Sequence, residues 1–274
     1  MHLGLMSWSF FRSFANGGMD LGEMLQLASD LALDGVEIAP DHVPDWSDSC
    51  LKSLADDIHT HGLYVDLDDS TGLLYEAAAS EEHRAHVEGM LKAADMLGAV
   101  NLREIVGIDR SGSKASVVSQ LSAAKKHLHT LIPLCQEHGV RLCIENHGDI
   151  TADELAALID SADSEWVRCC LDTGNLAFLR EDVVESTRLL APYALTCHYS
   201  DTHIKGQPWG VIMECGPFGG GVCDLAAATR ILADLAPDIH LNLEVATAQG
   251  DEIQQIKDAV HLARELISEA ENTG

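Results

Sequence analysis

The chain has 274 residues, 46% of them hydrophobic, and sets 44 Asp and Glu against 17 Lys and Arg for a formal net charge of -27. That field repels phosphate backbones and anionic bilayers, which are gripped mainly by Lys and Arg, so neither nucleic acid nor membrane is an expected partner. No stretch approaches the roughly 20 uninterrupted apolar residues of a membrane span, and Met1 to Met6 lacks the basic and long apolar regions of a secretory signal, which points to a cytoplasmic protein.

In chain order, residues 3 to 8 read as a first strand, and Asp20 caps a helical pattern of Leu21, Met24, Leu25, Ala28 and Leu31. Asp34-Gly35-Val36-Glu37-Ile38 is a short second strand. A helix from Leu51 to His61 stops at Gly62, strand three is Leu63 to Leu67, and a longer helix from about Ser80 to Leu97 stops at Gly98. Strand four is Ala99 to Arg103. The next helix runs through Leu121, Leu128 and Leu131 to His138, with Gly139 as its left-handed stop. Strand five, Arg141 to Glu145, precedes Thr151-Ala152-Asp153-Glu154, which has the spacing of a capping box. Strand six ends at Asp172, a helix covers about Glu181 to Leu190, and strand seven is Ala194 to Tyr199. The connection from Thr202 to Cys223 is the longest and is expected to be a functional loop. Asp224 opens another helix, strand eight ends at Glu244, and Glu252 to Ala270 forms a closing amphipathic helix.

Alternating strands and helices imply a parallel sheet, and eight such units in a chain near the usual barrel length of roughly 250 residues imply closure. The expected fold is α/β: a (β/α)8 TIM barrel, one domain over 1–274. An open doubly wound sheet is the alternative, but no GxGxxG follows the first strand. The eight cysteines include no CxxC pair, and Cys143, Cys169, Cys170 and Cys197 fall inside strands. They read as reduced core residues.

Strands five to eight each end on a residue that can hold a metal: Glu145, Asp172, His198 and Glu244. A barrel displays such tips on one rim. Three carboxylates and an imidazole form a hard donor set suited to one divalent ion, manganese or magnesium first, with cobalt or zinc as alternatives. Without a cation the cluster would be costly, because carboxylates this close cannot all ionise.

In this order, Asp34 to Ile38, Ile144-Glu145-Asn146-His147-Gly148, Leu171-Asp172-Thr173-Gly174-Asn175, His198 with Asp201, Gly219 to Asp224 and Glu244 resemble the xylose isomerase-like sugar phosphate isomerase/epimerase superfamily. The resemblance implies a metal held by Glu145, Asp172, His198 and Glu244, with Glu145 and Glu244 doubling as the acid/base pair. A metal chelating a ketone and its neighbouring hydroxyl acidifies the carbon-bound proton and stabilises a cis-enediolate. Return of the proton to the opposite face epimerises; return to the neighbouring carbon isomerises. The expected partner is a small carbohydrate or keto-polyol, and a homo-oligomer is left open.

Two departures bear on substrate. Ketose 3-epimerases carry a His where this chain has Asn175 and an Arg where it has Ile204, flanked by His203 and Lys205. His147, Asn175, Asp201, Lys205, Trp8 and Arg103 are the candidate substrate contacts, each weighed against a plain role in loop or core structure. Three rival readings follow. A dehydratase of the inosose type starts from the same proton abstraction, a barrel kept as a non-catalytic scaffold would need no substrate residues, and endonuclease IV would need further histidines that are missing here.

Overall fold

The computed structural model describes residues 1–73 and 81–273. Strand β1 (His2–Met6) leads through a 3-10 turn (Ser7–Phe10) to the short helix α1 (Phe11–Asn16). Then come α2 (Leu21–Asp30), β2 (Gly35–Ile38), α3 (Asp48–His61), β3 (Tyr64–Leu73), α4 (Glu81–Leu97), β4 (Asn101–Ile105), α5 (Val117–His138), β5 (Arg141–Glu145), α6 (Ala152–Ala162), β6 (Val167–Asp172), α7 (Val183–Leu190) and β7 (Ala194–Tyr199). An antiparallel pair, β8 (Thr202–Gln207) and β9 (Gly210–Cys215), precedes α8 (Leu225–Leu235), β10 (His240–Leu243) and α9 (Glu252–Thr273). The eight parallel strands close in the order β1-β10-β7-β6-β5-β4-β3-β2, so the expected TIM barrel is present.

The local signals account for most boundaries. Asp20 accepts from the Glu23 backbone while Glu23 reaches back, and Thr151 does the same with Glu154. Each pair satisfies two of the amides a helix start leaves without partners. Gly62 and Gly139 end α3 and α5 at φ 68 and 69, a conformation that costs glycine little.

Four expectations shift. The first strand stops at Met6, and Trp8 lies in the 3-10 turn. Strand β3 runs on to Leu73 and strand β4 starts two residues later than expected, at Asn101. Ser80, the expected start of the fourth helix, lies outside the described residues. The long connection after β7 opens with the β8–β9 hairpin and continues as a loop from Gly216 to α8. Only Thr202 of the two strands is buried, so neither strand carries the buried alternating face by which a strand is recognised in sequence.

Apolar side chains on the outer face of the strands meet the helices in one continuous core, while the interior is unusually polar toward its C-terminal end. Lower down, Tyr64 crosses the barrel to donate its hydroxyl to Asn242 Oδ1 at 2.8 Å and stacks on His240 with ring centroids 3.7 Å apart. Gly4 and Gly35 make this possible, since a Cβ at either position would collide with the Tyr64 side chain. The cysteines are all free, and Cys135, Cys143, Cys169, Cys170 and Cys197 are buried, as expected of small core residues.

Candidate active site

Strand register sets the site. Asp172 on β6 lies beside His198 on β7, His198 lies beside Asn242 on β10, and Glu145 on β5 pairs with Cys170 one layer away. All four strand tips therefore deliver their side chains to the same C-terminal mouth.

His198 is the hub. Its Nδ1 is 3.5 Å from Glu145 Oε1, 3.9 Å from Asp172 Oδ2 and 3.4 Å from Glu244 Oε2. The other nitrogen, Nε2, meets Glu37 Oε1 at 2.8 Å, and Asn242 donates to Glu37 Oε2 at 2.7 Å. A carboxylate facing Nε2 places the ring hydrogen there and turns the Nδ1 lone pair toward the three other carboxylates. Burial, the largest influence on the imidazole, disfavours its charge, but Cys170, Glu37 and Glu145 outweigh it and hold the pKa well above the usual value. A divalent ion would take the place of that proton.

Asp172 is fixed on one side. Its Oδ1 accepts from the amides of Gly174 (2.8 Å) and Asn175 (2.9 Å) and from Ser200 Oγ (2.7 Å). Its Oδ2 points toward His198 and takes Asn175 Nδ2 at 2.7 Å. Burial, then the charges of Glu244 and Glu145, push its pKa well up, the repulsion expected of carboxylates sharing a small volume.

Glu145 is bound from both sides. Asn175 Nδ2 donates to Oε1 at 2.9 Å, Arg103 Nε donates to Oε2, and Arg103 Nη2 forms an ion pair with the same oxygen. Arg103 Nη1 continues to Asp68 Oδ1 at 2.7 Å. Burial resists ionisation of Glu145, but Arg103, His198 and His147 hold its pKa well below the usual carboxylate range. Glu244 follows the end of β10 and is the most accessible of the group, its side chain 16% exposed.

One atom from each of Glu145, Asp172 and His198 lies within 4.8 Å of the others. The donor set of carboxylate oxygens around one imidazole nitrogen, with Arg103 the cation paired into it, leaves negative charge that a divalent ion would neutralise.

The structure thus brings Glu145, Asp172, His198 and Glu244 together, with Asn175 and Arg103 against them. The other expected contacts are engaged differently, although His147 is near enough for its charge to act on Glu145. Asp201 is buried and accepts from the amides of Gly219 (3.1 Å), Gly221 (2.8 Å) and Cys223 (3.2 Å), tying the glycine-rich segment to the end of β7. Lys205 pairs with Glu214 across the exposed hairpin. Trp8 stacks between Phe11 and His42 at 5.9 and 5.8 Å. His147 is exposed on the turn after β5. Sequence reading gave no role to Glu37, although a lone carboxylate between Val36 and Ile38 follows the same pattern as Glu145.

The family described as xylose isomerase-like TIM barrel matches residues 25–266. The Escherichia coli K12 protein YihM is 23% identical over 189 residues, 69% of this chain, and the chain spans about half of that relative, 55% of its length. Among solved structures, the IOLI protein with a bound zinc atom superposes with a TM-score of 0.81 at 17% identity, covering 98% of this chain and 99% of that one. L-ribulose 3-epimerase gives 0.77 at 16% identity, covering 99% and 96%. At such identities these structural likenesses speak for the fold.

Proposed function

The chain belongs to the xylose isomerase-like TIM-barrel family, and from that premise we propose that it is a divalent-metal-dependent isomerase or epimerase of a small sugar or keto-polyol. The observation that carries this reading is the convergence of Glu145 Oε1, Asp172 Oδ2 and Glu244 Oε2 on His198 Nδ1, with Glu37 holding the far side of the ring. Glu145, Asp172, His198 and Glu244 would hold the ion, which we take as manganese, with magnesium, cobalt or zinc as alternatives. When bound, it would polarise a ketone and acidify the neighbouring C–H.

The protein's own groups divide the remaining work. Glu37 and Asn242 fix the ring of His198, while Asn175 and Ser200 fix Asp172. Proton transfer falls to the pair Glu145 and Glu244, the carboxylates at the mouth not consumed in holding backbone. Among the described residues Arg103 is paired to Glu145 and Asp68 and Lys205 to Glu214, which favours an uncharged substrate over a phosphorylated one.

The test is carbon-bound proton exchange in heavy water, with manganese present, across ketoses, aldoses, keto-inositols and hydroxypyruvate. Exchange with at least one class, lost in Glu244→Gln, is expected. No exchange with any class would overturn the reading and favour a non-catalytic barrel. An absorbing enone product in place of an isomeric sugar would move the protein to the dehydratases, whose chemistry opens with the same abstraction.

A further inference from the structure

The β8–β9 hairpin is anchored at its base and bare toward its tip. Thr202 Oγ1 donates to the Gly174 carbonyl at 2.8 Å, and the Val222 amide donates to the Thr202 carbonyl at 2.9 Å. Beyond that base, directly opposed residues share a face, because side chains alternate along each strand. Ile204 opposes Met213 and Gly206 opposes Val211 on one side. His203 with Glu214 and Lys205 with Ile212 lie on the other, where Lys205 pairs with Glu214. The first side is apolar and open to solvent, with Ile204 48% exposed and Val211 65%. Together with Ala177, Val183 and Val222 it lines a groove of about 570 Å3 whose rim carries Arg180 and Asp224. At the tip, Trp209 is 85% exposed, more than any other large apolar side chain among the described residues.

Charge narrows what can cover this face. From Thr202 to Cys223 the only charged residues are Lys205 and Glu214, so the segment is neutral in a molecule of net charge -27. A cationic partner would gain more from the acidic surface elsewhere on the molecule. A neutral apolar face is instead the favourable approach for a partner that carries the same acidic field, and a second copy of this chain does. The rim of the groove holds both signs, so the patch can meet its own image about a two-fold axis.

We propose that two copies of this chain associate through their hairpins, the Trp209 side chain of each entering the groove between the other's hairpin and α7. The exchange is reciprocal, so the contact closes as a dimer and does not extend into a filament. An indole held in a desolvated pocket is the kind of anchor that dominates an interface.

Sedimentation velocity on the full chain over a range of concentrations tests this. Wild type is expected to show a monomer–dimer equilibrium. Trp209→Ser should raise its dissociation constant by about 30-fold or more, the loss of a hot-spot residue. Val222→Arg, which fills the groove and leaves the tip intact, should do the same. Both positions are exposed, and a cooperative thermal transition checks that each variant is folded. Mixed in equal amounts, the two variants should associate more tightly than either alone, because the mixed dimer keeps one tip-in-groove contact. Raising KCl from about 0.1 to about 1 M shortens the screening length from roughly 10 to roughly 3 Å and should tighten the wild-type dimer by relieving repulsion between the acidic bodies. A wild type that stays monomeric at every concentration and salt overturns the proposal. So does a dimer that both variants retain, that salt loosens, or that the mixture fails to restore.

Discussion

Glu37 of β2 and His198 of β7 meet through a 2.8 Å hydrogen bond inside the barrel, both side chains essentially buried. The pairing keeps the imidazole in one tautomer and one rotation. Glu37→Gln would put an amide where an acceptor is required, and metal affinity should fall on the order of 10- to 100-fold. Mn2+ titration checks this, and an unchanged affinity would contradict the assignment of Nδ1 as the metal-facing nitrogen.

Asp201 should act on stability more than on chemistry. Its carboxylate caps three amides of the segment from Gly219 to Cys223. Asp201→Ala removes a buried charged acceptor and leaves those donors unpaired, a loss of roughly 2–4 kcal/mol. Urea denaturation measures it, and a variant with wild-type stability and lost turnover would instead make Asp201 a substrate contact.

The Tyr64 layer predicts a coupled pair. Gly35→Ala forces a methyl group into the Tyr64 ring and should cost about 1–3 kcal/mol through overpacking. In Gly35→Ala/Tyr64→Ala the atoms that clash, Cγ and both Cδ, are gone, so the double variant should be less destabilised than the sum of the singles. Strict additivity in a double-mutant cycle would show that the ring and the glycine do not compete for space.

His83 supplies a pH dependence. Burial, then the neighbouring His127, lowers its pKa to about 4. Between the unfolded value of 6.5 and about 4, the unfolded chain binds the proton and the folded one does not, so this contribution to stability is present above pH 6.5 and lost as pH falls toward 4. Glu104, pushed well up by burial and then by Asp69, works in the opposite direction, stabilising at low pH and losing its effect as pH rises. The readout is therefore the difference between wild type and His83→Gln, which should lose less stability between pH 6.5 and 4. Parallel pH profiles would refute it.

The barrel and the four converging strand tips were legible in sequence because both are written locally, as apolar runs ending in ligand-type residues and as helix caps such as Asp20 and Thr151. What escaped was set by partners far apart in the chain. Arg103 looked like a rim residue available to substrate, but its role follows from Asp68 and Glu145, 35 and 42 positions away. Glu37 reaches His198 over a separation of 161. The β8–β9 hairpin was hidden for a different reason: with only Thr202 of the two strands buried, no buried face imposed the alternation by which a strand is recognised.

The Glu37–His198 bond also makes the ion a witness to assembly. The proposed ligands come from β5, β6, β7 and the end of β10, whereas the groups that tension them, Glu37 and Arg103, come from β2 and β4. Neither half of the ring holds the complete electrostatic balance. During refolding, native metal affinity should appear only when the first strand docks against the last.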